Sequence, residues 1–308
     1  MGKNKKIACV TGATGMVGSR IVENLLGQNY IVRTLSRQTR LEIKGVVNYR
    51  GQLEDEEVLD SFVSGADFLF HCAAELKNEK KMYDVNIVGT ENILNAVKSS
   101  TINFFLYLSS AGVAGLTNDK IVDEDTPCNP ITTYEKTKWE AEKIVAEGID
   151  GCSVVILRPT NVINEARPGA LSLPMNGSLK SRLKVAVKGG ECAHVIHAED
   201  VAAAATFFIS HRINTPRCFY VSYDDQEPLN TFAGLWALYT AIQNQEPVDS
   251  VQPVKHLPIF VPFILRRIVR GHSNKGDARY SSKKLLSEGF KFTLGLEGAI
   301  KRVINVER

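Results

Sequence analysis

The sequence lacks most of the features that would assign it to a class directly. Its six cysteines, at 9, 72, 128, 152, 192 and 218, form no Cys-x-x-Cys pair and no Cys/His ligand spacing. Neither a zinc site nor a redox dithiol is indicated, and reduced, mostly buried thiols are expected. No apolar run approaches the roughly 20 residues that a membrane-spanning helix requires. The longest is Val201 to Ile209. The 37 Lys and Arg against 34 Asp and Glu leave a formal charge of +3, with no basic run that could follow a nucleic-acid backbone. The N-terminal Met-Gly-Lys-Asn-Lys-Lys leads into a stretch, Ile7 to Val10, too short for a signal peptide. Lys6 stands where a myristoylation signal at Gly2 needs Ser or Thr. A cytoplasmic chain without a nucleic-acid partner is expected, and no repeat or low-complexity linker interrupts it. With 308 residues, 44% of them hydrophobic, it can build one large core and a smaller appendage.

What the sequence does contain is an alternation of short β-branched runs with amphipathic stretches. Strands are expected at 6–11, 31–35, 46–49, 68–71, 104–109 and 154–157, with helices at 17–26, 56–64, 85–99 and 133–147 between them. That is the pattern of an α/β, doubly wound parallel sheet covered on both faces. Thr132-Thr133-Tyr134-Glu135 is a capping-box signature for the last helix, with Gly148 as its stop. After Pro159 the pattern is broken by Pro168, Gly169, Pro174, Gly177, Gly189 and Gly190. Two further strands at 194–196 and 217–221 suggest that the sheet is re-entered. The chain from Pro228 reads as helices and loops, closing on a helix at 296–306. Residues 1–165 are therefore expected to form the main sheet domain, its sheet re-entered at 191–225, with 166–190 and 226–308 as a smaller subdomain.

The first strand runs into Gly12-Ala-Thr-Gly15-Met-Val-Gly18 and then a helix. A strand, a tight glycine turn and a helix N-terminus offer a pyrophosphate close backbone approach, free N–H groups and the positive end of a helix dipole. Three glycines can also make a plain turn, so the context carries the reading. The second strand decides which dinucleotide. An acid about 20 residues after the glycine loop would hold a ribose 2′-hydroxyl, whereas an arginine pairs with a 2′-phosphate. Here the strand ends in Ser36-Arg37 without a carboxylate. This favours NADP(H), with NAD(H) left open; Arg33 and Arg40 are weaker helpers.

Tyr134 and Lys138 stand four residues apart, on one face of an expected helix. Strand 104–109 delivers Ser109-Ser110 at its carboxyl end. A tyrosine is a poor base at neutral pH unless a nearby cation favours phenolate, and Lys138 is placed to supply that charge. Tyr134 could then exchange a proton with a carbinol oxygen held by Ser110. By itself Tyr-x-x-x-Lys occurs by accident on many helices. The ordered set Thr11-Gly-Ala-Thr-Gly-Met-Val-Gly18, His71-Cys-Ala-Ala74, Val85-Asn-Ile-Val-Gly-Thr90, Leu108-Ser-Ser-Ala-Gly-Val113, Tyr134-x-x-x-Lys138 and Leu157-Arg-Pro-Thr-Asn-Val162 does not. It resembles the extended short-chain dehydrogenase/reductase family, including its NAD-dependent epimerase/dehydratase and 3β-hydroxysteroid dehydrogenase/dihydroflavonol reductase branches, over Lys6 to about Val201.

The resemblance implies a Rossmann fold, a nicotinamide cofactor and an oxidoreductase. Gly12, Gly15 and Gly18 match the pyrophosphate loop, lined by Thr14, Met16 and Val17. Arg37 matches the arginine of NADP-using members, and Ala73 and Ala74 match the segment passing the adenosine and ribose. Ser110, Tyr134 and Lys138 match the catalytic triad, and Pro159 and Val162 the loop at the nicotinamide carboxamide. His197 and Asp200 match a recurrent element read as structural. The same resemblance implies a homodimer through the Tyr134–Lys138 helix; no metal site is expected, from the cysteine and histidine spacing.

Departures narrow the chemistry. Gln52 stands where many members have Asp near the adenine, leaving that contact to Leu53 and a neutral amide. Ala111-Gly112 follow Ser110 where sugar dehydratases carry Asp-Glu, so elimination lacks its proton carriers. Val113-Ala114-Gly115 removes an aromatic from the pocket wall. A nucleotide sugar, as for a 4-ketoreductase or epimerase, is the preferred small-molecule substrate. Lys180, Arg182, Lys184, Lys275 and Arg279 are candidates for its diphosphate. A lipophilic ketone of steroid-like or flavonoid-like type is the alternative, and a non-catalytic dinucleotide sensor the reading of another class. The segment 256–270 joins an apolar stretch to clustered arginines. It fits a helix packed on the main domain, a lipophilic pocket wall, or a helix lying on a membrane surface.

Overall fold

The computed structural model describes residues 5–37, 43–271 and 273–305. Gly2, Arg40 and Val306 from the sequence reading lie outside the described residues. In chain order the elements are β1 (Ile7–Thr11), α1 (Met16–Gly27), β2 (Ile31–Ser36), β3 (Val46–Arg50), α2 (Glu56–Val63), β4 (Phe68–His71), α3 (Glu79–Tyr83), α4 (Gly89–Lys98), β5 (Phe104–Leu108), β6 (Ile121–Val122), α5 (Thr133–Ala146) and β7 (Ser153–Pro159). They continue with β8 (Asn161–Ile163), α6 (Ser172–Asn176), α7 (Leu179–Lys188), β9 (Val195–His197), α8 (Ala198–Phe207), β10 (Arg217–Val221), α9 (Phe232–Gln243), α10 (Phe260–Arg270), β11 (Arg279–Tyr280), α11 (Lys283–Ser287) and α12 (Gly295–Asn305).

Seven strands form one sheet in the order β10-β7-β5-β4-β1-β2-β3, and the pairs from β3 across to β7 are parallel. This is the doubly wound sheet expected from the alternation. The chain lays β1, β2 and β3 outward in one direction, then returns to place β4 on the other side of β1. The order therefore reverses between β1 and β4, where the loops leaving neighbouring strand ends diverge and open a crevice. Every residue of β4 and of β7 is buried, as near-continuous apolar runs are when helices cover both faces. On one side Leu59, Phe62 and Val63 of α2 and Ile93, Leu94 and Val97 of α4 pack with Leu69 and Phe105 of the sheet.

The chain divides into two compact units: Met1–Gly115, Pro130–Arg158 and Val201–Phe219 in the first, and Leu116–Asn129, Pro159–Asp200 and Tyr220–Arg308 in the second. Two local differences from the sequence pattern have clear causes. The helix expected from residue 85 begins six residues earlier, at Glu79, because the Asn78 side chain caps it by accepting the Lys80 N–H; the charged Glu79-Lys80-Lys81 gave no apolar period. The strand expected at 194 begins at Val195 because His194 has a left-handed φ of 54°. β6, β8 and β11 were not expected. They are two or three residues long and exist through pairing, β6 with β11 and β8 with β9. Of the two strands expected to re-enter the main sheet, β10 therefore does and β9, paired with β8 instead, does not.

Candidate active site

The glycine turn lies at the switch point of the first unit. Gly12 has φ +66°, and a Cβ there would sit 2.6 Å from the Ala73 nitrogen and the Cys72 carbonyl carbon. The two strand ends therefore meet backbone to backbone, which only glycine permits. A Cβ on Gly18 would strike the Gly12 carbonyl oxygen; Gly15 donates its N–H to that oxygen at 2.9 Å. Helix α1 starts at once, with no side-chain cap on Gly15 and no acid in its first turn. A backbone cradle without Cβ atoms, opening on an uncapped helix N-terminus, fits a dinucleotide pyrophosphate. Thr14 is exposed, Met16 half-buried and Val17 buried.

Ser110, Tyr134 and Lys138 come together in the same unit. β5 carries Ser110 just past its carboxyl end, where the Ser110 hydroxyl accepts the Gly112 N–H at 3.1 Å. Helix α5 is fixed by the expected capping box: Thr132 accepts from the Glu135 N–H, and the Glu135 carboxylate accepts from the Thr132 N–H at 2.9 Å. Tyr134 follows the cap, and the Ser110 side chain lies close enough to its phenol to act on its titration. One turn on, Lys138 is 1% exposed. Its ammonium donates to the Leu108 carbonyl at 2.7 Å and lies 4.0 Å from the centre of the Tyr107 ring.

The electrostatics run against one expectation. Burial raises the Tyr134 phenol above its ordinary value; the Ser110 hydroxyl opposes this and the Glu135 carboxylate adds to it. Here desolvation outweighs any help from a cation, so the phenol keeps its proton at neutral pH. Burial also lowers Lys138 to about 7, partly offset by the Glu142 carboxylate and the Cys72 sulfur. Glu142 lies one further turn along α5 and accepts from Arg158 Nε at 3.1 Å and Nη2 at 2.7 Å, both side chains almost fully buried.

Sequence reasoning gave no role to the side chains that tie these parts together. Burial lowers His71, at the end of β4, to about 3, with the Lys138 charge adding to the effect, so its ring is neutral. Its Nδ1 lies 2.7 Å from Thr11 Oγ1 and its Nε2 3.1 Å from Thr90 Oγ1. Thr90 donates its own proton to the Asn86 carbonyl at 2.7 Å. Nε2 must therefore carry the ring proton, and Nδ1 accepts from Thr11. The Asn86 amide donates to Thr137 Oγ1 at 3.0 Å and to the Glu75 carbonyl, while its oxygen accepts the Glu75 N–H. Thr137 donates to the Tyr134 carbonyl at 3.0 Å. A buried hydrogen-bonded chain thus runs from the strand before the glycine turn to the turn of helix that carries Tyr134. Asn86 lies in a π-helical turn, Asp84–Val88, a local widening often found at functional sites. The signal was present in Val85-Asn-Ile-Val-Gly-Thr90, but its geometry was not.

The other expected positions are spread more widely. Arg37 is exposed just after β2, and its charge helps hold the Glu75 carboxyl below the usual range, behind the Asn78 and Lys77 backbone N–H groups. Gln52 is exposed; Leu53 is buried and packs against Gly89. Ala73 and Ala74 are half-buried after β4, where the Ala73 N–H donates to Thr11 Oγ1. In the second unit Pro159 closes β7 and Val162 is the middle of β8. Asp200 there accepts from the Tyr223 hydroxyl at 2.5 Å and from the Thr293 N–H at 2.7 Å. Among the described residues no His, Cys, Asp or Glu cluster is placed to hold a metal.

A doubly wound parallel sheet, a glycine turn at its switch point and a Ser–Tyr–Lys group beyond β5 define the extended short-chain dehydrogenase/reductase class. The chain belongs to the NAD dependent epimerase/dehydratase family, whose model matches residues 8–221. It is 31% identical over 166 residues, 51% of its length, to the N-acetyl-alpha-D-glucosaminyl-diphospho-ditrans,octacis-undecaprenol 4-epimerase of Escherichia coli O157:H7. It is 28% identical over 72% of its length to a 3 beta-hydroxysteroid dehydrogenase/Delta 5-->4-isomerase of Mycobacterium tuberculosis, covering 66% of that protein. The chain spans about half the length of the first of these relatives, 49%. The fold is shared with the UDP-glucose 4-epimerase of Thermus thermophilus, solved with NAD, at a TM-score of 0.68, 21% identity and coverage of 97% and 98% of the two chains.

Proposed function

We propose that this chain is an NAD(P)-dependent oxidoreductase or epimerase that interconverts a secondary alcohol and a ketone on a nucleotide-linked sugar. The observation that carries the reading is the Ser110–Tyr134–Lys138 group in one unit with the Gly12 cradle, the two joined by the buried chain through His71 and Asn86. Gly12, Gly15, Gly18 and the first amides of α1 hold the pyrophosphate. The nicotinamide, when bound, supplies the hydride chemistry. Ser110 holds the reacting oxygen, and Tyr134, kept protonated by burial, delivers a proton to it as a ketone is reduced. Lys138, at about 7, changes charge within the working range and serves the ribose and the phenol. Ala111 is buried and Gly112 has the Glu135 side chain 3.2 Å from where a Cβ would stand, so no acid pair follows Ser110 and dehydration is disfavoured.

The finer parts of the proposal are an NADP(H) preference through Arg37, a substrate-binding role for 166–190 and 226–308, a cytoplasmic location and a homodimer. NAD(H) is the competing cofactor, supported by the relatives that bind it. The 3 beta-hydroxysteroid dehydrogenase relative supports a second reading, a lipophilic alcohol or ketone. Tyr134→Phe tests the core: turnover should fall about a thousandfold while dinucleotide affinity by calorimetry stays within about twofold. Unchanged turnover would refute the assignment. Screening nucleotide sugars against hydrophobic ketones by reduced-nicotinamide absorbance separates the substrates; an epimerase exchanges its C4 centre without net absorbance change.

A further inference from the structure

The segment 256–270, left with three readings by its sequence, is settled in one respect: α10 turns its apolar side to solvent. Phe260, Ile264 and Ile268 follow one another at four-residue steps, and Leu265 and Val269 widen the stripe; Ile268 is 76% and Val269 82% exposed. The opposite side carries Arg266, which pairs with the buried Glu191 and donates to Ser273 Oγ at 2.8 Å, between the buried Pro262 and the half-buried Phe263. A helix packed on a core has the reverse arrangement. Helix α7, packed beside it in the same unit, adds Leu179 at 74% and Leu183 at 59% exposure. Contiguous apolar surface of this kind marks a binding face.

Charge identifies the occupant. Residues 166–190 and 250–276 contain ten of the 37 Lys and Arg and none of the 34 Asp and Glu, leaving 27 basic against 34 acidic residues in the remainder. Cations accompany the apolar residues in the same two segments: Lys180, Arg182, Lys184, Lys188, Lys255 and Arg267 are all exposed. Arg182 and Lys255 also flank a depression of about 290 Å³ floored by Val185, Ala186, Trp236 and Val254. That pairs two cations with an apolar floor, as a phosphodiester headgroup above its first methylenes would require. Among the described residues no helix is long and apolar enough to cross a bilayer.

We propose that the α7–α10 face docks on the surface of an anionic phospholipid bilayer, its apolar stripe entering the headgroup boundary and its cations meeting the lipid phosphates. The docking is independent of the proposed redox chemistry and is tested without it. The full chain is floated with vesicles of phosphatidylcholine, with or without about a third phosphatidylglycerol. Partitioning onto the anionic vesicles should exceed that onto neutral ones about tenfold and weaken with salt. Ile268→Glu with Val269→Glu should abolish it at every salt concentration. Lys184→Glu with Arg267→Glu should remove the preference for anionic lipid. Thermal melting confirms that both variants fold, as expected for exposed positions. Light scattering without vesicles covers the other occupant. A wild-type chain that ignores anionic vesicles, or an oligomer dissociated by the Ile268/Val269 variant, overturns the proposal; binding to anionic vesicles together with an oligomeric state that the variant leaves unchanged sustains it.

Discussion

Glu142 in the first unit and Asp200 in the second are both buried carboxylates, and their surroundings give them different tasks. Glu142 is held by the Arg158 guanidinium one helical turn beyond Lys138, whose charged form it supports. Asp200 pairs with no cation among the described residues. It collects the Tyr223 hydroxyl and the N–H groups of Thr293, Leu294 and Gly295, the turn that opens α12. One carboxylate tunes a titration while the other closes a loop more than ninety residues away. Buried charge is expensive in both places, so each is retained for what its partners gain.

The comparison can be broken by substitution. Glu142→Gln should have the largest effect, roughly 4 kcal/mol lost in chemical denaturation, because Arg158 is left buried without its partner. Adding Arg158→Met should recover most of that loss. Asp200→Ala should cost about 3 kcal/mol, from one hydroxyl and three amides left without an acceptor, and should leave the titration of Lys138 where it is. If Asp200→Ala moved that titration, the contrast between the two acids would fail.

The pH dependence sharpens the same contrast. The unfolded chain keeps the Lys138 proton to about pH 10.4, whereas the folded protein releases it at about 7. Between these values the unfolded state binds more protons, so stability rises with pH, with the full gain above the unfolded value and none below the folded one. Lys138→Met should flatten that rise in melting temperatures taken from pH 6 to 10. In the Glu142→Gln/Arg158→Met protein the rise should begin at lower pH, because the carboxylate that supports the ammonium is gone. The smallest effect is expected at Arg37: Arg37→Ala should weaken NADPH relative to NADH binding by about tenfold, a single charge-assisted contact, and an unchanged ratio would assign this arginine to Glu75 alone.

Much of the first unit was legible because its determinants are local. The β1–glycine–α1 sequence, the capping box at Thr132 and the four-residue spacing of Tyr134 and Lys138 are each set within about a turn of chain, and each has its expected form. The Asn86–Thr137 and His71–Thr11 bonds were not legible, since they join residues 51 and 60 positions apart. The raised Tyr134 value was missed for a related reason: spacing locates a cation but not the burial that competes with it. In the second unit β6, β8 and β11 have too few residues for any period to show.

By itself, the sequence determined the alternation that builds the parallel sheet, the position of the glycine turn, the residue types near the phenol and the absence of acids from 166–190 and 250–276. Those follow from backbone geometry and composition, which act on neighbouring residues. Tertiary structure alone decided which protonation states those groups hold and which side of α10 meets water. Both depend on desolvation, and desolvation is fixed only when distant segments have packed.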